Sequence, residues 1–246
     1  MGTAIVVTSG KGGTGKTTLT AGISSCLAAI GRRVLCIDMD VGLRNLDLSL
    51  GMTDRAVMDF SDVLEGRCTL ERGAAAHPAI DGLFLLTAPL RLPVGGIDHK
   101  QTAQLIAQAK EAFDYVLIDS PAGVDAGFRL AVAGADRAIV VTTNDPSALR
   151  DAQRAVSELG RSLSTIHLIM NRIQPKLLRQ LHTTIDDAMD TAGLPLLGVV
   201  PEDRRVPLAL GVGQPLVLVE RKGAARACLN IARRIEGQRV PLMKIR

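Results

Sequence analysis

Gly10-Lys11-Gly12-Gly13-Thr14-Gly15-Lys16-Thr17-Thr18 is the stretch that decides the fold of this 246-residue chain. It satisfies the pattern Gly-x4-Gly-Lys-Ser/Thr of a phosphate-binding loop. The apolar run Ala4-Ile5-Val6-Val7 precedes it, and residues 19–30 follow with the periodicity of a helix. Glycines let successive backbone N–H groups point inward, and the helix adds the positive end of its dipole. The sequence therefore predicts a strand–loop–helix unit that binds the phosphates of a nucleotide.

The loop holds two lysines, and the general pattern accounts for one of them. Lys16 is expected to meet the outer phosphates of the nucleotide, and the Thr17 hydroxyl is placed to bind Mg²⁺. Lys11 has no role in the general pattern, so it is the residue that any closer interpretation must explain.

The composition favours an α/β fold with an aliphatic core, because 47% of residues are hydrophobic and 2% are aromatic. Short apolar runs alternate with segments of helical period, which is typical of a parallel sheet covered on both faces. We expect a three-layer P-loop NTPase fold with a mostly parallel central sheet flanked by helices. With no repeats or linkers, we expect one domain over residues 1–237 and a short tail over 238–246.

Several functional classes find no support in the sequence. No apolar run reaches the length of a membrane span, and the chain enters its first strand without a secretion signal. The cysteines are far apart, which predicts small buried side chains in a reduced, cytosolic protein; they are Cys26, Cys36, Cys68 and Cys228. The four histidines lack metal-ligand spacing, and no Ser–His–Asp or Cys–His arrangement can be argued. The net charge of +4 permits contact with an anionic surface without requiring it.

Acidic residues follow two predicted strands, at 33–38 and 114–119. Asp38 and Asp40 share a face at the end of the first strand, where ligands bind in open α/β sheets, although two solvated loop acids would give the same pattern. Asp119 ends the second strand, as the acid of a Walker-B element does, and predicts a role with Mg²⁺. Gly123 follows closely and could bring a backbone N–H to a γ-phosphate.

Polar residues also follow two later strands, at 165–171 and 196–200. Asn171 offers one donor and one acceptor, which matches the N6/N7 edge of adenine, although a helix cap or turn residue is the alternative. Pro201-Glu202-Asp203 lies at the same edge of the sheet, where a base could lie. The remaining predicted strands are 83–87 and 137–143; the predicted helices are 54–65, 69–76, 99–113, 147–159, 177–192 and 224–236, and loops are expected at 41–47 and 88–96.

The last predicted helix is amphipathic and basic. Its apolar stripe consists of Ala225, Cys228, Leu229, Ala232 and Ile235. A basic amphipathic helix can lie on a membrane. We favour the commoner arrangement, in which the stripe packs on the sheet of its own domain.

Three motifs together carry a resemblance to a known family. They are the loop with Lys11, the run Asp38-Met39-Asp40-Val41-Gly42-Leu43-Arg44-Asn45-Leu46-Asp47 with Asp119-Ser120-Pro121-Ala122-Gly123, and Val200-Pro201-Glu202-Asp203. With them the chain resembles the deviant Walker-A ATPases of the ParA/MinD superfamily, over residues 1 to about 236. Within that superfamily it is similar to the MinD branch, whose members select the bacterial division site.

The resemblance implies an ATP-dependent homodimer that hydrolyses ATP to ADP and phosphate and then separates. It implies that Lys11 reaches the partner's phosphates, that Lys16 holds the β- and γ-phosphates, and that Asp40 orients the attacking water. Thr17, Asp38 and Asp119 would hold Mg²⁺, directly or through its waters. The nucleotide-binding set is Gly10, Lys11, Gly12, Gly13, Thr14, Gly15, Lys16, Thr17, Thr18, Gly123, Asn171, Arg172, Pro201, Glu202 and Asp203.

The resemblance also implies partners and a location. A division inhibitor and an ATPase-stimulating protein are expected, in the cytoplasm or peripherally on the cytoplasmic face of the cell membrane. Members of the branch usually end in a membrane-binding helix, whereas Pro241 here opposes helix formation in the tail 238–246. We therefore expect weak membrane attachment. Scattered arginines rather than a basic block argue against nucleic acid.

Two alternatives stay open at this point. One is a superfamily relative that positions flagella, chromosomes or plasmids. The other is a nucleotide-gated binding module with negligible turnover, against which the presence of Lys11 and Asp40 argues.

Overall fold

The computed structural model describes residues 1–91 and 96–243, and a central sheet organises them. Its eight strands within these ranges are β1 Thr3–Thr8, β2 Val34–Asp38, β3 Ala75–Ala76, β4 Leu83–Leu86, β5 Tyr115–Asp119, β6 Arg137–Thr142, β7 Ile166–Ile173 and β8 Leu196–Pro201. They lie in the order β3-β4-β2-β5-β1-β6-β7-β8. β3 pairs with β4 antiparallel, and all other neighbours are parallel. The expectation of a mostly parallel sheet is confirmed.

Helices cover both faces of the sheet. They are α1 Lys16–Ala29, α2 Leu46–Leu50, α3 Phe60–Leu64, α4 Leu70–Gly73, α5 His99–Ala112, α6 Ala126–Val132, α7 Pro146–Leu159, α8 Pro175–Gln180, α9 Ile185–Ala192, α10 Arg205–Gly211, α11 Leu216–Val219 and α12 Gly223–Ile235. Alternate residues of β1 face opposite ways, so Ile5 packs with α1 and α12 while Val6 packs with α5, α6 and α7. The three-layer architecture is confirmed, with two aliphatic cores.

Register brings the acidic residues together. In the β2–β5 pair Asp38 lies opposite Asp119, and in the β1–β5 pair Val7 lies opposite Asp119. Because the strands are parallel, their carboxyl ends form one edge of the sheet. The phosphate loop follows β1 at this edge, so it is flanked by the acids of β2 and β5.

Three helix predictions are wrong in extent. Residues 54–65 yield only α3, because Asp59 caps its N-terminus and accepts hydrogen bonds from the N–H groups of Ser61 and Asp62. Residues 69–76 yield α4 and then β3, which extends the sheet. Residues 177–192 yield parts of α8 and α9, because Thr184 caps a new helix through the N–H of Asp187.

Other boundaries differ at the functional edge. The predicted loop 41–47 ends inside α2, and the strand predicted to stop at Asn171 continues to Ile173. α6, α10 and α11 were not predicted, because their short segments carry little periodicity. Of the predicted loop 88–96, residues 92–95 lie outside the described residues.

The last helix packs as predicted. α12 lies against α1 and β8, and its buried stripe includes Ala225, Cys228 and Ala232. Cys26 and Cys36 are also buried as predicted, whereas Cys68 is partly exposed. Within the described ranges, no helix is both long and apolar enough to cross a membrane.

The tail lies against the domain as far as the structure describes it. The Arg234 guanidinium donates to the carbonyl oxygens of Leu197 (2.8 Å), Val240 (3.0 Å) and Pro241 (2.8 Å). Residues 239–243 are not helical, and 244–246 of the predicted tail lie outside the described residues.

Candidate nucleotide and phosphate site

The phosphate loop is held in shape by its neighbours. Gly15 has φ +91°, which favours glycine, and it forms the N-cap of α1. A Cβ at Gly15 would lie 2.3 Å from Nδ2 of Asn171, and one at Gly10 would lie 1.9 Å from the carbonyl oxygen of Asp151. The loop therefore fits against β7 and α7 only because these positions lack side chains.

Lys16 begins α1 and is almost fully buried, with 7% of its surface exposed. Burial lowers its pKa, whereas the nearby carboxylates of Asp119 and Asp40 act in the opposite direction. A buried cation at a helix N-terminus, among backbone N–H groups, is suited to an oligophosphate. Thr14 supports this assignment, because its Oγ1 is buried without a hydrogen-bond partner in the described part of the chain.

Asp119 is the centre of a buried hydroxyl–carboxylate network. Thr17 Oγ1 donates to its Oδ2 at 2.7 Å, and Thr20 Oγ1 donates to its Oδ1 at 3.0 Å. Burial, followed by the charge of Asp38, raises the pKa of Asp119 to about 7. Thr20 lies one helical turn beyond the motif, and its spacing from Lys16 is the sequence signal that could have identified it.

The carboxylate of Asp38 is held by backbone N–H groups of residues that follow it in the chain. Its carboxylate accepts hydrogen bonds from the N–H groups of Asp40 (2.9 Å) and Leu46 (3.1 Å). Burial raises the pKa of Asp38 to about 6, although these two hydrogen bonds oppose the shift. Asp40 is partly buried, and burial raises its pKa while Lys16 lowers it. The solvated-loop alternative therefore does not describe Asp38.

The residues around Asp119 fit a hydrated Mg²⁺ ion. A hydroxyl and two carboxylates, from Thr17, Asp119 and Asp38, converge at the edge of the sheet beside Lys16. Oxygen ligands of this kind suit Mg²⁺, which keeps several waters and is shared with substrate phosphates. In the described ranges no three His, Cys, Asp or Glu side chains group to hold a metal by themselves. The site suits an ion that arrives with a nucleotide.

Gly123 lies beside the phosphate loop. Its N–H donates to the carbonyl oxygen of Ser9 at 3.2 Å, and the Ser9 hydroxyl donates to the carbonyl oxygen of Lys11 at 2.7 Å. The segment after β5 is thus hydrogen-bonded to the loop itself, and this N–H must leave Ser9 before it can meet a phosphate.

Lys11 points away from the loop. Its Nζ donates to Ser147 Oγ at 2.7 Å and lies 3.7 Å from Asp145 Oδ2, at the N-terminus of α7. The Lys11 side chain is 45% exposed. Asp145 serves mainly as the cap of α7, because it also accepts from the N–H groups of Ser147 and Ala148.

A cleft of ≈ 620 Å³ extends from the loop toward β8. Its lining brings together these predicted residues: Gly13, Gly15, Lys16, Thr17, Thr18, Asn171, Arg172, Pro201, Glu202 and Asp203. The other predicted site residues are not in its lining: Gly10, Lys11, Gly12, Thr14, Asp38, Asp40, Asp119 and Gly123. The lining of the cleft thus includes Glu202 and Asp203 but not Asp38, Asp40 or Asp119.

The residues predicted to meet adenine make structural contacts. Asn171 is buried and donates through Nδ2 to the carbonyl oxygen of Thr14 at 2.7 Å. Arg172 pairs with Glu202, with Nε 2.9 Å from Oε2. Asp203 accepts hydrogen bonds from the N–H groups of Arg205 and Ala224, each at 3.0 Å, so it joins α10 to α12.

Part of the cleft was not predicted. Its apolar wall includes Leu48 of α2, Val206 and Leu210 of α10, Leu216 of α11 and Cys228 of α12. Apolar walls with a few polar groups are typical of ligand clefts. The sequence signal was weak for α2, α10 and α11, which lacked a clear period, whereas the apolar stripe of the predicted helix 224–236 was assigned to packing on the sheet.

Comparisons with known proteins identify the family of the chain. The family model described as the CobQ/CobB/MinD/ParA nucleotide binding domain matches residues 5–216. The chain is 43% identical over 243 residues to the septum site-determining protein MinD of Synechocystis sp., covering 97% of this chain and 91% of that protein. It is 41% identical over 246 residues to the MinD protein of Bacillus subtilis, covering 98% and 92%.

Solved structures show the same fold. A chain of the MinC:MinD cell division protein complex of Aquifex aeolicus superposes with a TM-score of 0.91 at 37% identity, covering 98% of each chain. The septum site-determining protein MinD of Pyrococcus horikoshii, complexed with Mg-ADP, superposes with a TM-score of 0.86 at 31% identity, covering 96% of each chain.

Proposed function

The chain belongs to the CobQ/CobB/MinD/ParA nucleotide-binding family and, within it, to the septum site-determining MinD ATPases; from this premise we propose how its residues do the work. The protein is an ATPase that acts as a spatial regulator of division-site placement. We propose that ATP joins two copies and that hydrolysis to ADP and phosphate separates them.

The phosphates bind at the N-terminus of α1. Lys16 holds the β- and γ-phosphates, together with the backbone N–H groups of residues 10–18. Thr17 would hold Mg²⁺, and Asp38 and Asp119 would hold its waters. The ion would neutralise charge on the phosphate oxygens during transfer. The hydrogen bond from Thr17 to Asp119 at 2.7 Å supports this assignment, because it places the hydroxyl and carboxylate oxygens side by side.

Hydrolysis depends on Asp40 and Gly123. Asp40 is the least buried of the three acids, so it is suited to orient the attacking water. The Gly123 N–H meets the γ-phosphate and leaves the Ser9 carbonyl, which couples nucleotide state to the segment after β5. Asn171, Arg172, Pro201, Glu202 and Asp203 form the adenine end, with Asn171 also holding the loop through Thr14.

One observation carries the proposal of a shared site. Lys11 belongs to the phosphate loop by sequence, yet its ammonium is exposed and rests on α7, outside its own cleft. A second subunit facing this edge could receive Lys11 at its phosphates. There Lys11 would stabilise the charge that develops on the transferred phosphoryl group.

A mixing experiment tests whether Lys11 acts in the partner's site. Lys11→Ala and Asp40→Ala proteins should each be inactive alone with saturating MgATP. When they are mixed, the Lys11→Ala subunit keeps Asp40 and receives Lys11 from its partner, so we expect turnover to return at one of the two sites.

If Lys11 acts within its own subunit, neither site of the mixed dimer is complete and no turnover returns. Mixing each variant with itself at the same total concentration is the control. Sedimentation of Asp40→Ala with ATP and with ADP measures the dimer independently.

We propose further partners on the same premise. A structural relative was solved as a MinC:MinD complex, and a division inhibitor and an ATPase-stimulating protein are the partners expected here. We propose one ATPase domain over 1–237 with a short tail over 238–246, in the cytoplasm and peripherally on the membrane. Arg234 holds Val240 and Pro241, so tail binding to a membrane must compete with this contact.

A further inference from the structure

The Asp119 carboxylate is held at both of its oxygens by one helix. Thr17 Oγ1 lies 2.7 Å from Oδ2, and Thr20 Oγ1 lies 3.0 Å from Oδ1. Thr17 and Thr20 are three residues apart on α1, so their side chains lie on the same face of the helix, which contacts β5. Asp119 is the last residue of β5 and is 1% exposed. One buried carboxylate therefore has a separate hydroxyl group at each oxygen.

The Thr20 hydroxyl has one proton and two acceptors within reach. Its Oγ1 is also 3.0 Å from the carbonyl oxygen of Lys16. A charged acceptor forms the stronger hydrogen bond, and the Lys16 carbonyl lies inside α1, where it already accepts from the backbone N–H four residues later. The proton of Thr20 therefore goes to the ionised carboxylate of Asp119.

Two other buried hydroxyls of α1 show the usual contact of such a residue in this helix. Ser24 Oγ donates to the carbonyl oxygen of Thr20 at 2.7 Å, and Ser25 Oγ donates to that of Ala21 at 2.7 Å. A bond to the carbonyl four residues earlier is the common contact of a helical Ser or Thr. Thr20, Ser24 and Ser25 are all 0% exposed, so burial alone does not explain why Thr20 contacts Asp119. The contact follows from the position of Thr20 beside the end of β5.

The two hydroxyls at Asp119 differ in what they can do. Thr17 would hold Mg²⁺, and a hydroxyl can do so through a lone pair while its proton stays on Oδ2 of Asp119. Thr20 lies beyond the phosphate-loop motif, one helical turn after Lys16, and contacts only protein groups. A carboxylate held at one oxygen can still turn, because the last torsion of an Asp side chain is broad and roughly two-fold. Hydrogen bonds at both oxygens fix its plane.

We propose that Thr20 is a positioning residue of the Mg²⁺ site, whose hydroxyl fixes the plane of the Asp119 carboxylate and so aims its remaining lone pairs at the waters of the ion. Residues behind a metal site orient the groups that hold the metal, and their loss typically weakens metal binding about 10- to 100-fold. The inference rests on the proposed function, because it takes Asp119 as a holder of the waters of Mg²⁺. It adds a residue that the phosphate-loop pattern does not contain.

The test measures the Mg²⁺ requirement of ADP binding, to which neither turnover nor an ATP-dependent dimer contributes. The affinity of the full chain for a fluorescent ADP analogue is measured over a series of free Mg²⁺ concentrations buffered with EDTA. Thr20→Val keeps the shape of the side chain and removes the donor. It should need about 10- to 100-fold more free Mg²⁺ for half of the Mg²⁺-dependent gain in affinity. Without Mg²⁺ it should bind the analogue as the wild type does, and Thr20→Ser should restore most of the Mg²⁺ affinity.

A matched variant separates this role from a merely structural one. Ser25→Ala removes a buried hydroxyl of the same helix that donates to a backbone carbonyl, so its Mg²⁺ requirement should equal that of the wild type. Thr20→Ala is a second removal of the donor, in case Thr20→Val folds poorly. The melting temperature of each nucleotide-free variant in EDTA shows whether it is folded. A structural role of Thr20 would change that temperature without changing the Mg²⁺ requirement of the folded protein.

Four results would overturn the proposal. They are equal Mg²⁺ requirements in the wild type and Thr20→Val, equal changes in Thr20→Val and Ser25→Ala, no recovery in Thr20→Ser, and a loss confined to ADP affinity without Mg²⁺. A wild type whose ADP affinity does not respond to Mg²⁺ would contradict the metal site of the proposed function, and with it this inference. The titration contains no ATP, so a failure of the Lys11/Asp40 mixing experiment would be distinct from a failure here.

Discussion

Two lysines of the phosphate loop stand in opposite surroundings. Lys16 is 7% exposed, and burial lowers its pKa although the carboxylates of Asp119 and Asp40 oppose that shift. Lys11 is exposed and rests on two side chains of another helix, Ser147 and Asp145, which are themselves exposed. One loop thus contains a fixed cation and a cation with exchangeable contacts.

The contrast follows from the place where each charge has to act. A cation that serves its own site gains from burial, because low polarity strengthens its attraction to phosphate and no reorganisation is needed. A cation that serves a neighbouring site must remain exposed until that neighbour arrives. Its contacts in the single chain must also be weak enough to exchange, as exposed ion pairs are.

The largest expected effect separates the two lysines directly. Lys11→Ala should lower kcat at least about 10³-fold, the scale found for a charge supplied in trans, while leaving monomer affinity for nucleotide unchanged. Lys16→Ala should instead weaken nucleotide binding itself. Turnover and fluorescent-nucleotide titration measure these effects. Equal loss of nucleotide affinity in both variants would remove the distinction.

The phosphate loop and the two acids beside it could be predicted from the sequence almost completely. The loop, Asp38 and Asp119 follow apolar strands, and a parallel sheet must bring such ends to one edge. The position of Lys11 on α7 could not be predicted, because it depends on how a helix distant in sequence approaches Gly10.

Short elements explain most of the remaining differences. The Thr184 and Asp187 capping box was readable as a helix start, yet the longer apolar period across 177–192 concealed it. α10 and α11 lacked any comparable signal and are placed by tertiary packing. For the same reason the part of the apolar wall that α10 and α11 supply to the cleft was missed.

Asn171→Ala should have the next largest effect, because Asn171 holds the phosphate loop that contains Lys16. It leaves the buried Thr14 carbonyl without its donor, which costs about 1–3 kcal/mol in unfolding free energy. Nucleotide affinity should fall as the loop loosens. Arg172→Ala is the matched neighbour: its exposed pair with Glu202 predicts a loss below about 1 kcal/mol. Chemical denaturation measures both, and equal losses would contradict the role of Asn171 in holding the loop.

Acid should lower the free energy of unfolding through His77, which contacts α2. Its Nε2 donates to the Leu50 carbonyl of α2, and Nδ1 accepts from the N–H groups of Ala79 and Ile80, so only neutral His77 fits. Burial lowers the pKa of His77 below 6.5. The contribution of His77 to the free energy of unfolding is therefore present above about pH 6.5, and it is lost as the pH falls toward the lowered pKa.

The measurement is unfolding free energy between about pH 7.5 and pH 5, in the wild type and in His77→Gln. The difference between the two should shrink as the pH falls. A difference that stays constant would show that His77 does not titrate. His167, whose pKa burial also lowers, contributes to the background of both proteins and cancels in the comparison.

Ser147→Ala should have the smallest effect, and it gives the sharpest test of whether the contacts of Lys11 are exchangeable. It removes the hydroxyl that Lys11 contacts at 2.7 Å but leaves Asp145 as the cap of α7. Melting temperature and monomer affinity for ATP should not change, because the residue is exposed. Lys11 then loses fewer contacts when it leaves α7 for the partner's site. The ATP-dependent dimer should therefore tighten, by up to about fivefold. Ser157→Ala, exposed at the other end of α7, is the control. A weaker dimer in Ser147→Ala would mean that this hydroxyl assists the crossing, and the two lysines would then differ in burial but not in how freely they are held.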